Sequence, residues 1–177
     1  NYHDLSLQNR KFSADGYFWL EWSEQLQRQF EENGTNVDKI VQIRNQVSEW
    51  NSKITDLYPK PLQLPNGNLY QQFRFSGSFY IPDLNLRHSP FETLQLPIIL
   101  EVSDDMYALQ RTGIVLIPYK PEKALTGSDA QIDGYNIDNS RLKTSYHSYG
   151  NDWGLGKGDL KYSALELVST FTSRGNA

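Results

Sequence analysis

The sequence predicts an all-β fold, an antiparallel β-sandwich of about ten strands, with a short helical or irregular insertion near residues 23–50. Two observations predict it. Aromatic residues make up 13% of the chain, and they suit the half-buried, pleated surface of a sheet. Short apolar segments are also separated by turn signals at intervals of roughly 8–20 residues, a spacing typical of an antiparallel sandwich.

The segments follow one another along the chain with distinct patterns. Within residues 1–22, the stretch KFSADGYFWLEW alternates with period two and predicts a strand. The polar stretch SEQLQRQFEENG predicts one or two helical turns, ending at the turn signal Asn33-Gly34. The next segment fits either a helix or a strand, and we interpret it as a strand from Ile40 to Arg44. Later strands are predicted at 70–80, at 84–101 with a break at 89–92, and at 113–119, 131–137, 141–150 and 161–174.

Length, charge and composition narrow the class of protein. The 177 residues suit a single domain spanning residues 1–177. A net charge of -4 without any Lys/Arg run argues against a nucleic-acid partner, which needs a basic face. The missing cysteines fit a bacterial chain and exclude disulfides and thiolate metal sites. No apolar run approaches the ~20 residues of a membrane span. Because the chain opens on NYHDLSL and closes on TSRGNA, we expect a domain excised from a larger membrane protein.

The segment LNLRHSPFETLQLPIILE carries the sharpest motif. It resembles the signature loop in the extracellular ligand-binding domain of pentameric ligand-gated ion channels, the Cys-loop receptor superfamily. There, a strand ending in Asp-x-Arg is followed by Phe-Pro-Phe-Asp-x-Gln and an apolar strand. The corresponding residues here are Arg87, Pro90, Phe91 and Glu92. Glu92 replaces the usual Asp, Leu94 the Gln and Ser89 an aromatic residue, while prokaryotic members of the family lack the two cysteines.

The resemblance implies an immunoglobulin-like β-sandwich that binds a small extracytoplasmic molecule. Arg87, Pro90, Phe91 and Glu92 would then form the coupling loop that transmits binding to a membrane or signalling module. The implied location is periplasmic or extracellular, attached to a membrane protein, and the implied assembly of the full-length protein is a homo-pentamer. Whether the output is a channel or a signalling protein stays open, as does the ligand, which is an amine, an amino acid or a carboxylate.

In the family, the ligand lies between subunits in a cage of aromatic side chains, which attract a cation through their ring quadrupoles. Glu101 or Asp104 offers a counter-charge to an amine. Tyr17 and Trp19 fall on the second strand, where simple sheet packing is the alternative interpretation. The ligand-binding residues implied by the resemblance are Tyr17, Trp19, Tyr58, Asp104, Tyr107, Tyr149 and Trp153.

Other signals carry less weight. GLGKGD resembles a phosphate loop, but it lacks the strand and helix that such a loop needs on either side. The acidic turns and the three histidines lack metal-ligand spacing, so we expect no metal and no cofactor. No nucleophile elbow or evident catalytic dyad is present, so we expect no enzyme. The alternative function is a carbohydrate-binding or carbohydrate-cleaving β-sandwich, which also uses exposed Trp and Tyr.

Overall fold

Two antiparallel sheets pack as a sandwich in the computed structural model, which describes residues 1–47, 53–82, 93–119, 132–150 and 160–174. The first sheet contains β1 (Tyr2–Ser6), β2 (Lys11–Trp22), β4 (Lys53–Asp56), β5 (Leu62–Gln63) and β6 (Leu69–Tyr80). Its order is β1-β2-β6-β4, and β5 also pairs with β6. The second sheet contains β3 (Val41–Ile43), β7 (Thr93–Val102), β8 (Tyr135–Ser148) and β9 (Lys161–Ser173), in the order β3-β7-β9-β8.

The core lies between the inner faces of the two sheets. Alternate residues of β7 point inward, so Leu96 and Ile98 are buried while Gln95 faces solvent. Phe75 and Phe79 of the first sheet meet these residues in one apolar cluster. Period-two alternation therefore places the odd-numbered residues of β7 on the outer face of the second sheet, where Glu101 lies.

The helical insertion adds to the core rather than lying free on the surface. Helix α1 (Glu24–Glu32) begins at Ser23, whose hydroxyl accepts a hydrogen bond from the Leu26 amide at 3.2 Å. Its Phe30 is 1% exposed and packs edge-on against Tyr107, with ring centroids 5.5 Å apart. A short helix, α2 (Val37–Ile40), then leads directly into β3, and a 3₁₀ helix forms at Asp105–Tyr107.

The sandwich and its helical insertion confirm the predicted fold class, with nine strands among the described residues. The strands predicted at 70–80, 141–150 and 161–174 are present, and β8 begins six residues earlier than predicted. The strand expected at Ile40 to Arg44 is β3, with Ile40 ending α2 instead. Of the strand predicted at 131–137, the described residues 132–137 contain an isolated bridge and the start of β8. The first half of 84–101 lies outside the described residues.

The strand predicted at 113–119 is wrong. The segment alternates in burial, since Leu116 is buried while Val115 and Ile117 are exposed, but it pairs with none of the strands in the described ranges. Its backbone amides make isolated hydrogen bonds instead. The Ile114 amide donates to the Tyr107 carbonyl at 3.2 Å, and the Leu116 amide donates to the Ser163 hydroxyl at 2.8 Å. Period-two alternation in the sequence shows only which side chains are buried. A β-strand also needs a neighbouring strand with which its backbone forms a ladder of hydrogen bonds.

Candidate functional site

An open cavity of about 300 Å³ lies at one end of the second sheet, lined by Ser103, Asp105, Tyr149 and Tyr162. Three neighbouring strand ends bring these residues together. Ser103 directly follows β7, Tyr149 directly follows β8, and Tyr162 is the second residue of β9. Because β8 and β9 are antiparallel, with His147 opposite Tyr162, the end of one strand meets the beginning of the other.

Glu101 lies behind the Tyr149 side chain and is fully buried. The Tyr149 hydroxyl donates a hydrogen bond to Oε2 of Glu101 at 2.7 Å. The other oxygen, Oε1, accepts no hydrogen bond from the described residues and lies 3.8 Å from Nη1 of Arg44. A buried carboxylate is costly unless it is paired and hydrogen-bonded, so Arg44 and Tyr149 together hold this charge in place.

The charge around the cavity is mainly negative. The Arg44 guanidinium is shared, because its Nη2 lies 3.8 Å from Oε1 of Glu166 on β9. Asp105 adds a further carboxylate at the cavity wall, where it accepts a hydrogen bond from the Tyr162 hydroxyl. A second guanidinium, that of Arg111, acts on the same tyrosine. These three carboxylates outnumber the two guanidinium groups, and the excess negative charge favours a positively charged group in the cavity over an anion.

Tyrosine rings form the apolar part of the wall. The rings of Tyr149 and Tyr162 meet edge to face, with centroids 5.7 Å apart, and His147 meets the ring of Tyr149 at 4.5 Å. Burial raises the pKa of Tyr162 to about 12, and its hydrogen bond to Asp105 adds to the effect. Burial and the hydrogen bond to Glu101 also raise the pKa of Tyr149. Both hydroxyls therefore stay protonated at neutral pH and act as donors to carboxylates.

Of the ligand-binding residues predicted from sequence, Tyr149 lines the cavity. Asp104 lies in the chain between two residues that line it, Ser103 and Asp105. Asp104 points toward the 3₁₀ helix instead, since its Oδ1 accepts from the Met106 amide at 2.9 Å. Tyr107 is 1% exposed and belongs to the core, and its hydroxyl accepts from Nδ2 of Asn33 at 3.2 Å. It does not line the cavity because the 3₁₀ turn directs its ring inward against Phe30.

The remaining predicted residues lie elsewhere. Tyr17 and Trp19 are 58% and 45% exposed on the outer face of the first sheet. Gln72 stands opposite Trp19 in the register and accepts a hydrogen bond from the Tyr58 hydroxyl at 3.1 Å. Tyr17, Trp19 and Tyr58 thus form a second aromatic surface, apart from the cavity. Trp153 and the coupling-loop residues Arg87, Pro90, Phe91 and Glu92 lie outside the described residues.

Sequence reasoning did not assign Tyr162 or Arg44 to the site. Tyr162 carries a usable signal, because pairing the two predicted C-terminal strands as a hairpin places residues near 147 opposite residues near 162. Arg44 has no such signal, since only the pairing of β3 with β7 brings its guanidinium to Glu101.

Comparison with known proteins adds no assignment, because no protein-family model matches the chain and no curated protein matches it significantly. Within the described ranges, no helix combines the length and apolar character needed to cross a membrane. The same residues contain no group of three or more His, Asp or Glu side chains suited to a metal ion.

Proposed function

We propose that this domain senses a small extracytoplasmic amine at the cavity of Tyr149 and Tyr162 and passes the signal to an attached membrane or signalling module. The observation that carries the proposal is the buried, partly unsatisfied carboxylate of Glu101 behind an aromatic wall. Aromatic faces attract a cation by roughly 0.5–2 kcal/mol per contact. The nearby carboxylates supply the counter-charge, so an ammonium group suits the cavity better than a carboxylate ligand does.

The resemblance to the ligand-binding domain of pentameric channels supports the same function. In that family, the loop between the last two strands closes over the ligand beside the loop that follows the seventh strand. By the resemblance, Tyr149 and Ser103 correspond to these two loops, and both residues line the cavity. A periplasmic or extracellular location and attachment to a membrane protein follow from the resemblance as parts of the proposal.

A homo-oligomer is also part of the proposal. The exposed Tyr17 and Trp19 lie on the sheet opposite the cavity, so a neighbouring copy can present them to the open side of a cavity. In the channel family this arrangement forms the ligand site between subunits. The isolated domain then provides the carboxylate side of the site, and the assembled protein provides both sides.

A thermal-shift comparison of three isosteric probes tests the proposed ligand class. Butylammonium, 1-butanol and butyrate have nearly the same size but differ in charge. We expect butylammonium alone to raise the melting temperature, because binding to the native state stabilises it by mass action. Tyr149→Ala should abolish the shift, whereas Tyr146→Ala, at an exposed tyrosine three residues away, should preserve it. Equal shifts with all three probes, or with butyrate alone, would refute an amine site.

One observation favours a second function, carbohydrate binding. Tyr17 and Trp19 are two residues apart on the same exposed face of β2, and exposed aromatic rings can stack on the apolar faces of sugars. A glycan array with the wild-type domain and Trp19→Ala separates the two functions. Specific sugar binding that requires Trp19, together with no response to amines, would establish the carbohydrate function instead.

A further inference from the structure

We propose that Asn45 clamps the two sheets together and connects their junction to the cavity, so that a change at Tyr149 reaches the end of β6 and the middle of β7, which Asn45 holds. Asn45 is 6% exposed and directly follows Arg44, whose guanidinium faces Glu101. Through this clamp, a change caused by binding at the cavity is transmitted to the rest of the domain. The inference therefore rests on the sensing function proposed above.

The Asn45 side chain bonds to both sheets at once. Its Nδ2 donates to the Tyr80 carbonyl at 2.9 Å and to the Pro97 carbonyl at 2.7 Å. Its Oδ1 accepts from the Ile99 amide at 3.1 Å. Tyr80 is the last residue of β6 in the first sheet, while Pro97 and Ile99 belong to β7 in the second. Both donor hydrogens and the oxygen of one buried amide are therefore used to connect the sheets.

The backbone around Asn45 repeats this connection. The Arg44 amide donates to the Ile99 carbonyl at 2.8 Å, on the second sheet. The Tyr80 amide donates to the Asn45 carbonyl at 2.7 Å, and Gln46 forms a bridge with Phe79, both on the first sheet. The chain thus passes from one sheet to the other over two residues. Because both residues are bonded through their backbones, a shift of the Arg44 backbone strains the hydrogen bonds to both sheets.

The charged side chains of Glu101 and Arg44 connect the cavity to this junction. Tyr149 holds one oxygen of Glu101, and Arg44 lies 3.8 Å from the other. Glu101 is two residues from Ile99 on β7, which adds a backbone connection to the same clamp. The strands β6 and β7 flank residues 83–92 in the chain, so the clamp joins the cavity to both strands on either side of that segment.

Amide hydrogen exchange followed by NMR tests the connection without any ligand. Tyr149→Phe removes the hydroxyl that holds Glu101. We expect it to speed exchange of the Tyr80 and Ile99 amides at least fivefold more than exchange of the Phe73 amide, because local opening controls exchange at the first two positions. Phe73, in the middle of the β2–β6 ladder, reports the loss of global stability, so its rate should rise only by the factor that this loss gives. Tyr146→Phe is the matched control and should change neither set.

A second variant tests whether Arg44 carries the effect. Arg44→Gln keeps the backbone bonds but removes the charge that links the cavity to the clamp. In this background, Tyr149→Phe should no longer change exchange at Tyr80 and Ile99. The inference is overturned if exchange at both amides is unchanged in Tyr149→Phe, if all strands respond equally, or if the response persists without Arg44. Because no ligand is used, this test can refute the clamp while the amine-sensing proposal stands. Equally, amine binding can be refuted while the clamp stands.

Discussion

Tyr149→Phe deletes one hydroxyl and leaves the ring in place, so it isolates the hydrogen bond to the buried Glu101 carboxylate. That bond is 2.7 Å long, and the other carboxylate oxygen accepts none from the part of the chain that the structure describes. A hydrogen bond to a charged group contributes about 1.5–3 kcal/mol. Tyr149 is 42% exposed, so water can partly replace its hydroxyl and the lower part of this range applies. We expect the variant to lose about 1.5–2 kcal/mol of unfolding free energy.

Urea unfolding followed by tryptophan fluorescence measures this loss, with Tyr146→Phe as the matched control. In a domain of this size each kcal/mol corresponds to about 2–4 °C, so the melting temperature should fall by ~3–8 °C. In a Glu101→Gln background the same change should cost less, because no charge is then left unsupported, and a double-mutant cycle measures the difference. A loss no larger than that of Tyr146→Phe would refute the assigned role of the Tyr149 hydroxyl.

Three further predictions concern the fold. Burial raises the pKa of Tyr2 to about 12, so the native state keeps this proton between pH 10 and 12 while the unfolded state loses it. Unfolding free energy should therefore fall with rising pH by up to about 1.4 kcal/mol per pH unit from this group, and Tyr2→Phe should remove that part of the slope. Phe30→Ala should cost about 3–5 kcal/mol by leaving a cavity in the core. Gly16→Ala should cost about 1–3 kcal/mol, because a Cβ there would lie 3.0 Å from the Phe75 ring.

The first two of these predictions have a control variant, and all three have a contradicting result. Tyr17→Phe, at an exposed tyrosine, is the control for Tyr2→Phe, and an unchanged pH slope in Tyr2→Phe would contradict the assignment. Glu32→Ala, at an exposed position of the same helix, is the control for Phe30→Ala, and equal losses would show that α1 does not support the core. A Gly16→Ala protein as stable as wild type would show that the Phe75 ring moves aside freely.

Much of the fold can be predicted from the sequence because its strongest signals are local. Period-two alternation in KFSADGYFWLEW reports one buried and one exposed face, and the structure has β2 there. The polar stretch before Asn33-Gly34 has helical propensity and a good N-cap, and α1 forms there. Residues 113–119 show the limit of this reasoning, because the same alternation arises when a segment packs on the core without a neighbouring strand.

The candidate site is harder to predict because it depends on which strand ends meet. Tyr149 is predictable as an aromatic residue beside a glycine-rich loop. Tyr107 was assigned to the site by its position after β7, but the 3₁₀ turn carries its ring into the core. Arg44 and Glu101 are 57 residues apart in the chain, and only the register between β3 and β7 brings them together. Such pairings follow from tertiary structure and leave no periodic signal in the sequence.

Isothermal titration calorimetry of butylammonium into the wild-type domain, Asp105→Asn and Asp133→Asn tests the central claim most directly. Asp105 lines the cavity, whereas Asp133 is exposed just before the far end of β8 and serves as the matched control. If the cavity binds amines, butylammonium binds the wild type and Asp133→Asn alike. It binds Asp105→Asn about 5-fold more weakly, because loss of an exposed counter-charge costs about 1 kcal/mol. Equal binding to all three proteins, or no binding to the wild type, would contradict amine sensing at this cavity.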